Sequence, residues 1–595
     1  PGATAGGLMA HRAGPPFLIL AGGVLFQAAA VSGCGPAEDP EQGRATGTLA
    51  DRPLLEDVSA AVGLAFSHYP GVTGEHFFLE PVGAGAAFLD YDGDGDLDVY
   101  LVQSGDIPGA SKGQPLIPLD ANTPDGNRLF RNDLDADGKL HFSDVTEVAG
   151  VGDRGYGMGV AVGDVDNDGD PDLYVTNFGA NVFYRNDGDG RFTDVTTVSG
   201  ADDRRWNTSA AFLDYDKDGD LDLFVAAYVG YTVKGNKTCF TNDGRRDYCG
   251  PDSFKPTTDR LFRNDGDFSF TDVTATAGLD QISGKGLGVT VADFDGDGRD
   301  DIYVANDQWP NHLLLNNGDG RFRETAVMAG SAYNATGEVE ASMGVTAGDF
   351  DGDGDPDLFM THLRGQTNTL YRNEGDGQFF DVTDRLQLGA ASRPYTGFGT
   401  AWFDLENDGD LDLFIANGAV TLVRGAPKGD PYPYAEPNQL FLNEAGRFTD
   451  ISDRAGPDLN IAEISRGAAF GDVDNDGDTD VLVSNNYGPA RLLLNRAADT
   501  EPSLVVALQG IDAPRDGAGA LLVLEFSDGS EMWRRAGSDG SYLSAGDPRV
   551  FFGLAGTPSV SGLRVLWPSG RQERFAPDER HTLMVKEGSG QSIQD

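Results

Sequence analysis

Short apolar segments recur along most of the chain, and turns rich in Gly, Asp and Asn separate them. The pattern is clearest where a Gly-rich apolar segment such as GMGVAVG precedes an acidic loop and an alternating segment such as LYVTN follows it. Alternation with a period of two predicts β-strands, and the Gly-Asp clusters predict tight turns. A second element, LFRNDGDFSFTDVT at 261–274, adds two strands joined by a turn. The repeating unit is therefore predicted to contain four short strands.

The acidic loop occurs seven times, at intervals of 50 to 79 residues. Its copies are DYDGDGDLD from Asp90, DVDNDGDPD from Asp164, DYDKDGDLD from Asp214, DFDGDGRDD from Asp293, DFDGDGDPD from Asp349, DLENDGDLD from Asp404 and DVDNDGDTD from Asp472. A four-stranded unit repeated at this period is typical of a β-propeller, because one such sheet cannot bury both faces alone. We predict an all-β chain with a seven-bladed β-propeller over 54–500. A DVS strand at 57–59 precedes the first loop and is predicted to complete the seventh blade.

The segment after the propeller, 501–588, is predicted to be a separate small β-domain, and 589–595 a tail. Its alternating LLVLEF is followed by a turn at SDGS and then by VFFGL and LRVLWPSG. These patterns predict strands joined by turns. Whether this domain covers the propeller or moves freely does not follow from the sequence.

The acidic loops carry the candidate chemistry. Acids at positions 1, 3, 5 and 9, with Gly at position 6 for a sharp turn, form an oxygen cage suited to Ca2+. Carboxylates about 5 Å apart repel by roughly 3 kcal/mol at an effective dielectric of 20, so a bound cation makes such a loop tenable. We predict up to seven Ca2+ ions. The predicted ligands, loop by loop, are Asp90, Asp92, Asp94 and Asp98; Asp164, Asp166, Asp168 and Asp172; Asp214, Asp216, Asp218 and Asp222; Asp293, Asp295, Asp297 and Asp301; Asp349, Asp351, Asp353 and Asp357; Asp404, Glu406, Asp408 and Asp412; Asp472, Asp474, Asp476 and Asp480.

An EF-hand shares the start of this motif but does not fit the rest. Position 12 of an EF-hand is a bidentate Glu, whereas Leu101 and Val175 stand there in the first two loops, and the flanks read as strands. The sixth loop departs most from the pattern, because the longer Glu406 replaces Asp at position 3. These ions are expected to hold the blades together.

Net charge narrows the class of partner. The 595 residues include 95 Asp plus Glu against 44 Lys plus Arg, a net charge of -51. Such a chain repels nucleic-acid phosphates and anionic lipid headgroups, so no nucleic-acid partner is expected.

The N-terminus reads as an export signal. An apolar run, PFLILAGGVLFQAAAVSG, follows His11 and Arg12 and ends before Cys34. This pattern predicts a signal peptide over 1–34, with Cys34 the lipidated residue of a lipoprotein signal and 35–53 a flexible linker. Ordinary cleavage near AAA at 28–30 is the alternative. The protein is thus expected to be an outer-membrane or cell-surface lipoprotein or to be secreted, with no membrane contact except through the anchor.

Two further groups of residues are candidates for local chemistry. Cys239 and Cys249 are expected to form a disulfide in an oxidising compartment. His68, His76 and Glu80 lie close together in SHYPGVTGEHFFLEP, where they either bind a transition metal or serve as ordinary hydrogen-bonding residues at a blade edge. The sequence offers no convincing catalytic constellation, so the chain is not expected to be an enzyme.

The repeated loops resemble the FG-GAP or VCBS repeats of integrin-type propellers over roughly 54–500. The later segment, through GSYLSAGDPRVFFGL and VLWPSG, resembles the ASPIC/UnbV domain. Propeller plus this domain is the architecture of the cartilage-acidic-protein-like family. The resemblance implies an exported Ca2+-binding adhesion or interaction protein, whose ligand, protein or glycan, it does not identify.

The phase of the repeats also indicates where a partner binds. Antiparallel strands place the acidic loops and the NDGDG turns on one face of the ring. The long insertions, 103–127, 226–259 and 416–438, then lie on the other face together with the His68 loop. Long loops on a rigid scaffold usually carry recognition, so we predict that this second face binds the partner. The alternative is an envelope enzyme, a polysaccharide lyase or a metal-dependent oxidoreductase, with its site on the same face.

Overall fold

A computed structural model of the chain describes residues 53–110, 113–135, 138–423, 429–498, 501–576 and 582–593. The predicted export signal with Cys34, and most of the predicted linker, lie outside these residues. The described part contains seven four-stranded antiparallel sheets, which are the blades of the predicted propeller. No helix in these ranges is long and apolar enough to cross a membrane.

The strands up to residue 495 form the propeller and one small hairpin, β12–β13. In chain order they are β1 (Leu55–Asp57), β2 (Ala86–Leu89), β3 (Asp98–Leu101), β4 (Arg128–Asn132), β5 (Phe142–Asp144), β6 (Gly157–Gly163), β7 (Asp172–Asn177), β8 (Val182–Asn186), β9 (Phe192–Asp194), β10 (Asn207–Leu213), β11 (Asp222–Ala227), β12 (Cys239–Phe240), β13 (Arg246–Asp247), β14 (Arg260–Asn264), β15 (Phe270–Asp272), β16 (Gly286–Ala292), β17 (Asp301–Asn306), β18 (His312–Asn316), β19 (Phe322–Glu324), β20 (Val345–Gly348), β21 (Asp357–Met360), β22 (Thr369–Asn373), β23 (Phe379–Asp381), β24 (Gly397–Phe403), β25 (Asp412–Asn417), β26 (Gln439–Asn443), β27 (Phe448–Asp450), β28 (Ser465–Gly471), β29 (Asp480–Asn485) and β30 (Arg491–Asn495). Short helices follow some outer strands. The α-helices are α1 (Thr146–Ala149), α2 (Thr196–Ser199), α3 (Ala326–Ala329) and α4 (Leu388–Ser392), and 3-10 turns occur at Val233–Gly235, Pro251–Ser253 and Ser452–Arg454.

The innermost strands, β2, β6, β10, β16, β20, β24 and β28, contact one another in sequence order, and β28 contacts β2, so the ring is closed. The first strand, β1, completes the seventh sheet by pairing with β30, as predicted. It lies at 55–57 rather than 57–59. The reason is local: the amide and hydroxyl of Ser59 both donate to the Asp57 carboxylate, which turns the chain out of the strand.

The core of the propeller lies between neighbouring blades. One cluster, for example, packs Phe88 and Val99 of the first blade against Leu482 and Leu492 of the seventh. The predicted strands are therefore buried on both faces, which explains why their central segments are continuously apolar.

Residues after 501 form two further sheets around a separate core that includes Val506, Leu522, Phe552 and Trp567. The smaller sheet has the order β34-β31-β37 and the larger one the order β33-β32-β35-β36-β38. Their strands are β31 (Ser503–Gln509), β32 (Leu521–Phe526), β33 (Glu531–Arg535), β34 (Val550–Gly553), β35 (Val560–Leu566), β36 (Gln572–Phe575), β37 (Thr582–Lys586) and β38 (Gln591–Ser592). We call 501–593 the C-terminal domain.

The connection between β33 and β34 enters the central channel of the propeller. Residues 539–545, which we call the plug, hydrogen-bond to the innermost strand of every blade. The bonds join Ala545 to Ala86 and Phe88, Leu543 to Val160 and Ser209, Asp539 to Val291, and Ser541 to Val345, Thr400 and Ala468. Glycine makes this approach possible, because a Cβ at Gly85 would stand 1.7 Å from the Leu543 carbonyl oxygen.

The opposite end of the channel is closed by the long insertions. Segments 68–82, 103–110, 113–127, 226–259, 416–423 and 429–438, which we call the cap, pack on one another through Val72, Tyr248, Tyr432 and Tyr434. The plug meets the cap where the Tyr542 hydroxyl donates to the Val82 carbonyl at 2.9 Å. Both ends of the channel are therefore filled by the chain itself.

Candidate metal centres

Each acidic loop joins an innermost strand to the second strand of its blade, so all seven lie on one face of the ring. The position 1 carboxylate closes its own loop: in the first loop, Asp90 accepts from the amides of Gly93, Asp94 and Gly95 at 2.9 to 3.1 Å. The same bonds to the amides of positions 5 and 6 recur in all seven loops, including the sixth. Position 6 is Gly throughout, and its φ is positive in each loop, near +92° at Gly95.

The position 9 carboxylate is buried and joins the loop to the third strand. In the first blade, Asp98 accepts from the Tyr91 amide at 3.0 Å and from the Asn132 amide at 2.8 Å. The Asn132 side chain then donates to the Val473 carbonyl in the seventh loop. Equivalent Asn side chains in the second to fifth and the seventh blades reach the preceding blade's loop in the same way. Neighbouring loops are thus fixed relative to one another by a repeated Asn.

The remaining acids converge on an open position in each cage. Oxygens of positions 1, 3 and 5 lie within 4.8 Å of one another in the first, third, fourth and fifth loops, and those of positions 1, 3 and 9 do so in the second. Buried carboxylate oxygens without a hydrogen-bond partner occur at position 3 of three loops, Asp166, Asp295 and Asp474. Because an unpaired buried carboxylate oxygen is costly, these atoms fit a cation ligand set.

Burial dominates the electrostatics of the loops. It raises the pKa of Asp98 and of Asp301 to about 8 and that of Asp357 to about 9, while backbone amides oppose the shift. The pKa of Asp164 rises to about 7, first through burial and then through the nearby Asp516. Carboxylates crowded and buried in this way favour a bound positive charge.

Three loops differ in instructive ways. Arg299 at position 7 of the fourth loop forms an ion pair with Asp297 and so supplies a positive charge from the chain. In the sixth loop, Glu406 has its pKa raised to about 7 by burial and then by Asp408 and Asp404. In the seventh loop, the position 7 residue Asp478 is buried, and both its carboxylate oxygens are unpaired.

The C-terminal domain covers this face and contacts several loops. Arg549 donates to the Asn475 side chain and the Asp472 carbonyl of the seventh loop, and Arg534 donates to the Gly409 carbonyl of the sixth. The Arg515 amide donates to Asn167 in the second loop at 2.8 Å. A cavity of about 600 Å³ remains between the domain and the loops of blades three to six. A small cation therefore has space to reach those loops beneath the domain.

The residues singled out on the cap face are bonded separately. His68 Nε2 lies 3.0 Å from the Ser104 hydroxyl, His76 Nδ1 lies 3.1 Å from the Gly74 carbonyl, and Glu80 accepts from the Tyr248 hydroxyl at 2.5 Å. Glu80 and His68 are buried. Burial, and then Arg466, lowers the pKa of His68 to about 3, so its ring is neutral. Cys239 and Cys249, the predicted pair, form a disulfide bond.

Sequence reasoning did not identify the plug or the Asn residues that link the loops. Both had a signal. The Asn ends the RLFRN-type strand in every blade, and the glycines of segments such as GMGVAVG stand where the innermost strands approach the plug. A Gly-rich strand that is also fully buried indicates a close approach by another backbone.

Comparison with known proteins identifies the repeats and the last domain. The chain matches the FG-GAP-like repeat at 90–175, 164–225, 240–304, 293–360, 349–415 and 425–483, which together cover more than half of it. Residues 510–592 match the ASPIC and UnbV family.

Among solved structures, the chain is similar to the BP39L lectin from Burkholderia pseudomallei, at 12% identity over 71% of this chain and 97% of that one, with a TM-score of 0.39. It is also similar to a rhamnogalacturonan lyase from Bacillus licheniformis, at 10% identity over 72% and 91% of the two chains, with a TM-score of 0.28. Because both scores are below 0.5, neither similarity bears on function.

Curated relatives agree with the family assignment. Cartilage acidic protein 1 of Xenopus tropicalis is 33% identical over 27% of this chain and 25% of its own length. The human protein of the same name is 30% identical over 35% of this chain and 30% of its own length. The chain thus spans less than a third of the relatives it matches. By its repeats, the chain belongs to the FG-GAP-like repeat family, and with its ASPIC and UnbV domain it has the architecture of the cartilage-acidic-protein-like proteins.

Proposed function

We propose that the protein is an exported Ca2+-binding interaction module whose cap face binds a protein or glycan partner. The propeller is assigned to 54–500 and the ASPIC/UnbV-like domain to 501–588. The 28 carboxylates at positions 1, 3, 5 and 9 of the seven loops are the proposed Ca2+ ligands, and Cys34 is the proposed site of lipid attachment.

The repeated loop closure supports the Ca2+ assignment most strongly. The same carboxylate closes the loop seven times, and the neighbouring carboxylates turn towards one point rather than outwards. When bound, Ca2+ neutralises these oxygens. The protein's own residues orient the cage through backbone amides and link adjacent cages through the repeated Asn.

The arrangement of the two faces supports recognition on the cap. The C-terminal domain covers the loop face and fills the channel, so a large partner meets the cap first. The cap is also built from the longest and least repetitive segments of the propeller. Irregular loops fixed on a rigid scaffold are the usual carriers of specificity.

Calorimetric titration of the purified chain with Ca2+ tests the metal assignment. Asp166→Asn removes a ligand with an unpaired buried oxygen, whereas Asp189→Asn removes an exposed acid in the turn of the same blade. We expect the first variant to lose heat of Ca2+ binding equivalent to one site and the second to titrate as the wild type. Equal titrations of all three proteins would contradict the assignment.

Capture from an envelope or extracellular extract on the immobilised chain tests recognition. It is run with millimolar Ca2+ and with chelator, and bound proteins and sugars are identified by mass spectrometry. We expect a partner retained only with Ca2+. Failure to retain any partner in either condition would contradict the interaction function.

A further inference from the structure

One segment of the cap has the opposite charge from the rest of the chain. Residues 234–255 contain five Lys or Arg among 22 residues, whereas the whole chain has 44 among 595. These cations are Lys234, Lys237, Arg245, Arg246 and Lys255, and all five side chains are exposed. An exposed cation cluster on a protein with a net charge of -51 needs a physical explanation.

The cluster is centred on a hairpin held by the Cys239–Cys249 disulfide. In this hairpin Phe240 pairs directly with Arg246, and Cys239 pairs with Asp247. Directly paired residues project to the same side of a two-stranded ribbon, and successive residues to opposite sides. Asp247 is buried and accepts from Tyr434 and Leu422, so its side faces the cap. Phe240 and Arg246 therefore face outwards.

The acids of this segment do not cancel its cations. Asp247 points into the cap, and Asp252 pairs with the buried Lys285 at 2.5 Å. Asp243 pairs with Arg245 at 3.0 Å, but this pair is exposed to water on both sides. Exposed pairs of this kind are worth only about 0.2 to 1 kcal/mol, so Arg245 exchanges partners readily.

The acidic loops do not suppress the cluster either. They lie at the far ends of the innermost strands, and a seven-residue strand such as β10 spans about 23 Å at roughly 3.3 Å per residue. The Debye length is about 8 Å at physiological ionic strength. The hairpin therefore presents a positive potential of its own.

We propose that this hairpin, 239–249 with Lys234, Lys237 and Lys255 beside it, binds an anionic polysaccharide. Phe240 has 63% of its surface exposed and stands beside Arg246, which allows a sugar ring to stack on it while carboxylate or sulfate groups meet the cations. A protein interface normally has an apolar core, and Phe240 is the one large apolar side chain exposed on this hairpin. The inference deepens the proposed recognition by the cap and rests on it.

Binding of the full-length chain to dextran sulfate tests the proposal, with uncharged dextran and poly-L-glutamate as comparison ligands at constant Ca2+. The test variant is Lys237→Glu with Arg245→Glu and Arg246→Glu. The matched control reverses three exposed arginines in the turns of outer strands, Arg191→Glu, Arg321→Glu and Arg323→Glu, and has the same net charge. A neutral variant, Lys237→Gln with Arg245→Gln and Arg246→Gln, and Phe240→Ala complete the set. Thermal unfolding of each variant verifies that it is folded.

We expect dextran sulfate, but not dextran, to bind the wild type, and to bind the test variant at least about tenfold more weakly, given several exposed ion pairs of 0.2 to 1 kcal/mol each. The neutral variant should lie between the two, Phe240→Ala should also bind more weakly, and the control should bind as the wild type. Equal weakening of test and control variants would overturn the proposal, because the effect would then be one of total charge. Equal binding of poly-L-glutamate would also overturn it and would indicate an acidic protein partner.

This experiment is distinguishable from the test of the proposed function. If capture on the cap succeeds but dextran sulfate does not bind the wild type, the polysaccharide inference fails and recognition by the cap stands. If capture fails while the hairpin binds dextran sulfate specifically, the interaction function as proposed fails and the hairpin remains an anion-binding surface.

Discussion

The two faces of the propeller are both covered, but by different means. On the loop face, seven similar cages meet a second domain through arginines and backbone groups. On the cap face, four dissimilar segments pack through tyrosines and two buried charged groups, Arg466 and Glu80. A repeated sequence can specify the first arrangement by repeating one solution, whereas the second requires each contact to be specified individually. Regularity thus falls on the proposed metal face and individuality on the proposed recognition face.

Removing Ca2+ should break this comparison most severely. A ligand that binds only the folded state at 100 times its dissociation constant stabilises it by about 2.7 kcal/mol per site, and up to seven sites act together. We expect chelator to lower the unfolding temperature strongly and to lower it further than Mg2+ exchange does, because Mg2+ demands a smaller octahedral site. Calorimetric scans with Ca2+, Mg2+ and chelator make the measurement. An unfolding temperature that does not respond to chelator would contradict the proposed sites.

The plug joins the two faces, so its removal should be the next largest effect. Tyr542 is fully buried, its ring lies 4.9 Å from Phe398, and its hydroxyl donates to the Val82 carbonyl of the cap. We expect Tyr542→Ala to lower the free energy of unfolding by about 3 to 5 kcal/mol, as for other buried aromatic truncations. Tyr542→Phe keeps the ring and should cost about 1 to 3 kcal/mol for the unpaired carbonyl. Chemical unfolding measures both, and equal small losses would show that the plug does not hold the faces together.

Arg466 is the corresponding test from the cap side. Its guanidinium is fully buried, donates to the carbonyls of Pro81, Gly418, Ser465 and Ala419, and lies 4.0 Å from the Phe398 ring centroid. Arg466→Met should leave these carbonyls unpaired and cost about 3 kcal/mol, even though it removes a buried charge. Arg454→Met, in a turn after an outer strand, is a control for loss of an exposed arginine. If both variants lose the same stability in chemical unfolding, Arg466 does not organise the cap.

The sequence predicted what the repeat specifies and missed what it does not. Seven four-stranded sheets, the closing strand near Asp57 and the clustering of acids in the loops follow from alternation and spacing, because each depends on local pattern. The plug does not: its contacts join residues 539–545 to strands as far away as Ala86, and no local pattern encodes such a pairing. The cap is similar, since the Tyr248 to Glu80 bond links segments 168 residues apart.

Glu80 offers the smallest and most specific test of the cap. Burial, opposed by the bond from Tyr248, raises its pKa from 4.5 to about 7. Between these values the folded protein holds a proton that the unfolded chain releases, so this group lowers the free energy of unfolding as pH rises through that window, by up to about 3 kcal/mol above it. Glu80→Gln keeps an acceptor for Tyr248 and removes the titration. We expect the variant to match the wild type near pH 4.5 and to be more stable by about 2 to 3 kcal/mol above pH 7.

Chemical unfolding of wild type and variant between pH 4.5 and 8 measures the difference, which cancels the titration of the acidic loops common to both. The exposed Glu75→Gln is the matched control and should show no such divergence. Parallel stability curves for Glu80→Gln and the wild type would mean that Glu80 is ionised in the folded protein. Its unpaired oxygen would then need a cation or solvent beneath the cap, and the cap would be more like the loop face than its packing indicates.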